Sequence, residues 1–186
     1  MRQFSVSLVR SIVVSLLIAL SCWTGAVAPA AARPLLPLRS PTIEMTMGKS
    51  LFSFSGKRPT NLGVNDGKLA LCPDTPNCVS SQAPDTDVQH KTAPLRYTKS
   101  PSEAMAALKT VIQGMERTEI IREEDNYLYA EFTSALMGFV DDVEFLLDPN
   151  AKVIHVRSAS RLGQSDLGVN RKRIEEIRAK FVQTNA

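Results

Sequence analysis

Val140-Asp141-Asp142-Val143-Glu144-Phe145-Leu146-Leu147-Asp148-Pro149-Asn150-Ala151-Lys152-Val153-Ile154-His155-Val156-Arg157-Ser158-Ala159 decides the fold. Successive side chains of a strand point to opposite faces. In 140–147 that puts Val143, Phe145 and Leu147 on one face and Asp142 and Glu144 on the other. In 152–159, Ile154 and Val156 oppose His155 and Arg157. Asp148-Pro149-Asn150 between the two runs is a turn signal. The connection is too short for a crossover helix, so the pair is antiparallel.

The same pattern extends upstream. Runs at 117–124 and 126–136 are separated by Asp125-Asn126, and Met137-Gly138 leads into the strand at 140. In 126–136, Leu128 and Phe132 oppose Tyr127, Tyr129, Glu131 and Thr133. Before these strands, Ser100-Pro101-Ser102-Glu103 reads as a capping box with Pro at the first helical position. Ala104, Leu108, Val111, Ile112 and Met115 then recur at three- and four-residue steps as one apolar stripe. A short strand is expected at 91–97. A last helix is expected over roughly 169–183, with Ile174, Ile177 and Phe181 buried and Lys172–Glu176 and Glu176–Lys180 paired outside. The expected order is β-α-β-β-β-β-α. It implies an α+β domain: an antiparallel sheet of four to five strands with two helices packed on one face, behind a loop-rich, disulfide-containing N-terminal lead-in.

The chain opens with a targeting signal. Arg2 and Arg10 precede an apolar run from Ser11 to Trp23, and small residues follow through Ala32. This is the order of a secretory signal peptide, 1–32, cleaved after Ala32 because Pro29 disfavours the other A-x-A site. The apolar run is short for a membrane span of about 20 residues. Ala19 stands where a lipoprotein signal carries leucine, which argues against a lipid anchor at Cys22. Residues 33–60 carry Pro34, Pro37, Pro41 and Pro59 and read as a poorly ordered linker. The single domain is then 61–186, exported to a periplasm or lumen, with no membrane span left.

Of 186 residues, 44% are hydrophobic and 22% charged, enough to bury a core without a metal. Net charge is +3, and loss of Arg2 and Arg10 with the leader brings the mature chain to +1. That excludes the basic footprint of a nucleic-acid binder. The mature chain keeps Cys72 and Cys78, enclosing Pro73-Asp74-Thr75-Pro76-Asn77. In an exported chain this reads first as a disulfide. Free or redox-active thiols and half a metal site are the competing readings. His90 and His155 are the only histidines, too few for a usual zinc site. No cofactor loop is present.

Two constellations carry chemistry. The polar sheet face gathers Tyr127, Tyr129, Glu131, Asp142, Glu144, His155 and Arg157. Such a face can bind a polar ligand, do acid–base work, or simply be a solvated surface with cross-strand ion pairs. The second is Arg157-Ser158-Ala159-Ser160-Arg161-Leu162-Gly163-Gln164-Ser165-Asp166-Leu167-Gly168-Val169-Asn170-Arg171-Lys172-Arg173. It runs from a strand end through a loop into a helix start, where N–H groups, Arg and Ser can hold an anion. It lacks the phosphate-loop spacing. Alternatively Ser165 or Asn170 caps the helix and the arginines pair with Asp141, Asp142 or Glu144. The candidate binding residues are therefore Asp141, Asp142, Glu144, His155, Arg157, Ser158, Ser160, Arg161, Asp166, Asn170 and Arg171. Alternation places His155 on the face opposite Ser158 and Ser160, so those serines form no triad with it.

Leu62-Gly63-Val64, Cys72 through Ser81, Gly138-Phe139-Val140-Asp141-Asp142-Val143-Glu144-Phe145, Arg157 through Arg161 and Gly168 through Arg173 occur in this order. Together they resemble domain-of-unknown-function family 1499, over about 61–182. The resemblance implies a periplasmic or thylakoid-lumen location and carries no catalytic residues. The expected function is a non-enzymatic exported binding or assembly module whose partner is a small anionic ligand or an envelope or lumen protein. The alternatives are a small acid–base hydrolase using Asp142, Glu144 and His155 on an open sheet face, and a thiol–disulfide role for Cys72 and Cys78.

Overall fold

Ser100 sits in extended backbone, its hydroxyl accepts from the Glu103 N–H, and the Glu103 carboxylate accepts in return from the Ser100 N–H. This capping box starts helix α1, Pro101–Gln113, whose Ala104, Met105, Leu108, Val111 and Ile112 are buried. The computed structural model describes residues 54–185. The expected signal peptide, Cys22 and positions 33–53 lie outside the described residues.

Two short strands precede the helix: β1, Cys78–Ser80, and β2, Leu95–Arg96. After it come β3, Thr118–Glu123; β4, Tyr127–Thr133; β5, Val140–Asp148; β6, Val153–Ser160; and helix α2, Val169–Asn185. The sheet order is β1-β6-β5-β4-β3, with β2 also paired to β6. All these strand pairs are antiparallel. The β5–β6 turn forms because the Asp148 carboxylate accepts from the N–H groups of Asn150 and Ala151. Strand β1 was not expected from the sequence. It is three residues long and follows a Pro-rich loop, and what makes it a strand is β6, whose Ala159, Ser158 and Arg157 face Cys78, Val79 and Ser80.

Both helices cover one sheet face. Leu108, Ile112, Ile174, Ile177 and Phe181 pack with Leu128, Phe132, Val143, Phe145, Ile154 and Val156 in the main core. The other face differs from the expected open surface. It carries a second, smaller core of Leu69, Tyr127, Tyr129 and Leu146, with Leu62 and Ile121 against it. The lead-in supplies this cover. The Gly63 N–H donates to Glu144, and the Leu69 N–H to Gln82. Gly63 has a φ of 110°, a conformation that a β-carbon would strain. Residues 54–60 lie along the sheet as well. The Phe54 N–H donates to the Met137 carbonyl, its ring stacks on Phe139, and Arg58 pairs with Glu131. Cys72 and Cys78 form a disulfide, tying the end of this cover to β1.

Candidate functional site

Because the lead-in covers the polar face, its charges are buried. Glu144 is 0% exposed, Asp142 1% and Arg157 5%. The expectation of a solvated face is corrected on this point, since alternation reports only which face a residue takes, not what lies over it.

The charges pair with one another. Glu144 faces Arg157 directly across β5 and β6. Its Oε1 accepts from the Gly63 N–H at 2.7 Å and the Tyr127 hydroxyl at 2.8 Å, and its Oε2 from Arg157 Nη1 at 3.2 Å. Glu131 and Asp142 face each other across β4 and β5. Two like charges so placed repel, and Arg161 resolves the conflict. Its Nε and Nη2 donate to Asp142 at 2.9 and 2.8 Å, and Nη2 also reaches Glu131. Arg58 adds a second cation on Glu131 at 2.5 Å. The Tyr129 hydroxyl lies 2.8 Å from Glu131 and 2.5 Å from Asp142, and its single proton serves one of them at a time.

These contacts set the electrostatics. Burial and the neighbouring carboxylates push the Tyr127 and Tyr129 hydroxyls far above the usual phenol range. Burial raises the Glu131 pKa, but hydrogen bonds from Tyr129, Arg161 and Arg58 outweigh it and leave the carboxyl below its ordinary value. Hydrogen bonding to Asp142 raises Arg161 against the desolvation that opposes it. Arg161 therefore acts as a fixed cation.

The candidate residues do not converge on one site. Asp142, Glu144, Arg157 and Arg161 share the lead-in face. Asp141, Ser158, Ser160 and Asn170 build a different network under α2. There Asn170 is fully buried. It accepts from the Ser158 hydroxyl at 2.5 Å and from Arg173 Nη1 at 2.7 Å, and it donates to the Asn77 carbonyl and to Ser160 Oγ. Arg173 continues to Asp141 and lies over the Phe132 ring at 4.9 Å. Asp166, rather than Ser165 or Asn170, caps α2: its carboxylate accepts from the N–H groups of Gly168 and Asn170. Arg171 donates to the carbonyls of Lys91 and Gln89, holding that segment on α2.

His155 stands apart from the two carboxylates. Its partner across β5 is Leu146, and its Nδ1 lies 3.2 Å from Ser81 Oγ. Ser81 Oγ also accepts from the Val156 N–H, so it bridges the His155 ring and the β6 backbone. Burial lowers the His155 pKa, with Asp148 opposing and Lys91 assisting. His155 lines a cleft with Gln82, Asn126 and Asp148, whereas Asp142 and Arg157 line another beside Cys72. Among the described residues, no three His, Cys, Asp or Glu side chains group to hold a metal ion. No helix among them is long and apolar enough to cross a membrane.

Arg58, Gly63, Arg173 and Asn77 belong to these networks and were not singled out as site residues from the sequence. Arg58 sits in a stretch without periodicity, so nothing local signals its partner 73 positions away. A family model described as "Protein of unknown function (DUF1499)" matches residues 68–181. The chain has no match among curated proteins.

Proposed function

The chain belongs to the DUF1499 family, and we propose that it is an exported, non-enzymatic binding or assembly module of a periplasm or thylakoid lumen, freed from its signal peptide by cleavage after Ala32. One observation carries this reading: the carboxylates a catalyst would use are tied to fixed donors. Asp142 is held by both Nε and Nη2 of Arg161, and Glu144 accepts three hydrogen bonds while fully buried. A general acid or base needs an open lone pair within reach of a substrate. Here those lone pairs are spent on building the domain. His155, the remaining acid–base candidate, lines a separate cleft. The Cys72–Cys78 disulfide supports an oxidising compartment. With Cys78 fully buried in β1, it acts as a staple for the lead-in.

Native mass spectrometry on the mature protein, purified gently from the exported compartment of its host, tests the reading. The expected spectrum shows a discrete added mass on a chain that starts at Arg33 and is two hydrogens light for the disulfide. Turnover of ester, phosphomonoester or peptide substrates by the purified protein, abolished by His155→Gln or Asp142→Asn, would overturn it.

A further inference from the structure

We propose that the cleft between the lead-in and β6, beside the disulfide, binds a small monocarboxylate through Arg157. This inference rests on the binding-module reading and names the ligand class for it. The cleft has a volume of about 340 Å³ and is lined in part by Pro59, Leu71, Pro73, Ala159, Arg157 and Arg161. The two guanidinium groups differ in a way that matters. Arg161 has its Nε and Nη2 committed to Asp142, Glu131 and Tyr129. Arg157 has a side chain only 6% exposed and an ion pair to Glu144 at 3.2 Å. That is longer than the 2.7–2.9 Å or so of a strong charge-assisted bond. Its Nε is buried and has no hydrogen-bond partner.

A buried donor left unmade is costly, and an acceptor that reaches it recovers that cost. The planar guanidinium fork matches a carboxylate's two oxygens. Charge narrows the class further. Glu144 and Asp142 offset the charges of Arg157 and Arg161, so the site has little net positive charge to spare. The second charge of a dianion such as phosphate meets repulsion without a further counter-charge, which favours a monoanion. Pro59, Leu71, Pro73 and Ala159 offer an apolar wall, and Leu71 is 73% exposed at its rim. The ligand is thus a carboxylate on a short aliphatic body. It is either a free acid or the C-terminal carboxylate of a peptide ending in an aliphatic residue.

The test is a ¹H–¹⁵N titration of the arginine Nε–H signals of the oxidised mature protein. The probes are isobutyrate, an N-blocked peptide ending in valine, isobutyramide and inorganic phosphate. The expected result is a saturable shift of the Arg157 Nε–H with a Kd on the order of 1 mM for isobutyrate. A free acid is the ligand if isobutyrate binds and the peptide does not, and a chain end if the peptide binds more tightly. Isobutyramide leaves the signal in place. Leu71→Asp, at an exposed position, puts a like charge at the rim and weakens binding about fivefold without touching the buried pairs. Arg157→Gln, read instead at the backbone amide of Ala159 in the cleft wall, abolishes the saturable response to isobutyrate, and Leu71→Asp serves alone if that variant fails to fold. No saturable shift, an equal shift with isobutyramide, or a response to phosphate alone overturns the carboxylate assignment. In that case a discrete added mass in the native spectrum would still uphold the binding reading, whereas turnover would remove both.

Discussion

Glu144→Gln keeps the shape of a fully buried side chain and removes its charge. Arg157 has its ion pair with Glu144, and the variant leaves that cation, 6% exposed, without a counter-charge. Breaking one side of a buried pair costs about 3–5 kcal/mol. Two features set the value near the lower end: the pair is 3.2 Å long, and Arg157 lines a cleft that water can enter. The glutamine oxygen still accepts from Gly63 and Tyr127, so those bonds add little. The expected loss is about 3 kcal/mol, within the roughly 5–15 kcal/mol of a small domain, and the variant stays folded. Urea unfolding of the oxidised mature protein at neutral pH is the assay. With an m-value of about 1–3 kcal/mol per molar, the midpoint falls by at least about 1 M. Arg157→Met, alone and combined with Glu144→Gln, closes a double-mutant cycle. A coupling above about 1 kcal/mol is expected, because the double variant buries no lone charge. A Glu144→Gln loss under about 1 kcal/mol, or zero coupling, would refute the claim that a covered ion pair holds β5 to β6.

Three further outcomes are expected. Ser100→Ala removes the capping box of α1 and lowers stability by about 0.5–2 kcal/mol in the same urea assay. Replacing both Cys72 and Cys78 by Ala opens a loop closed across a sequence separation of 6, which costs roughly 2 kcal/mol. Amide exchange should speed first in 58–71, the lead-in that the bond ties down. His155 binds its proton less tightly in the folded state than its ordinary 6.5, since burial lowers its pKa. Its contribution is therefore whole above about pH 6.5 and is lost as pH falls below it. His155→Gln should flatten the stability profile between about pH 6.5 and 5, with urea midpoints as the readout.

The sequence disclosed the frame because local signals were strong where the frame is local. The capping box at Ser100, the stripe Leu108-Val111-Ile112 and the Asp148-Pro149-Asn150 turn each fix their element through neighbours a few positions away. The faces of β4, β5 and β6 also followed from alternation: Phe145 is buried with α1 and α2, and Glu144 takes the other side. What alternation does not report is cover. A strand that is polar on one face reads the same whether water or a loop lies over it. Leu62, Gly63 and Leu69 sit in a stretch without period, and their contacts with Glu144, Tyr127 and Tyr129 span long gaps in sequence. Alternation itself divides the candidate residues between the two faces. Asp141 and Asp142 are adjacent in the chain, but the strand sends one to Arg173 under α2 and the other to Arg161 under the lead-in.

Covering a charged face raises the question of which charge makes it tolerable, and the register answers it. Glu131 and Asp142 are direct cross-strand partners, and their side chains are 14% and 1% exposed. Two carboxylates that close repel in a site shielded from water, and Arg161 is the cation that bonds both. Arg58 reaches only Glu131 among them and has a side chain 51% exposed, so it cannot substitute. Arg161→Met should therefore cost more than Glu144→Gln, since it leaves two facing anions rather than one cation. Its pH response should also change sign. In the parent, Glu131 holds a pKa below its ordinary 4.5, so acid weakens the fold as pH falls through that region. Without Arg161 the facing pair takes up a proton more readily than the unfolded chain does, so lowering the pH relieves the repulsion. The gap in urea midpoint between variant and parent should narrow from pH 7 to pH 5. A gap that stays constant or widens would mean that the Glu131–Asp142 repulsion is not what Arg161 offsets.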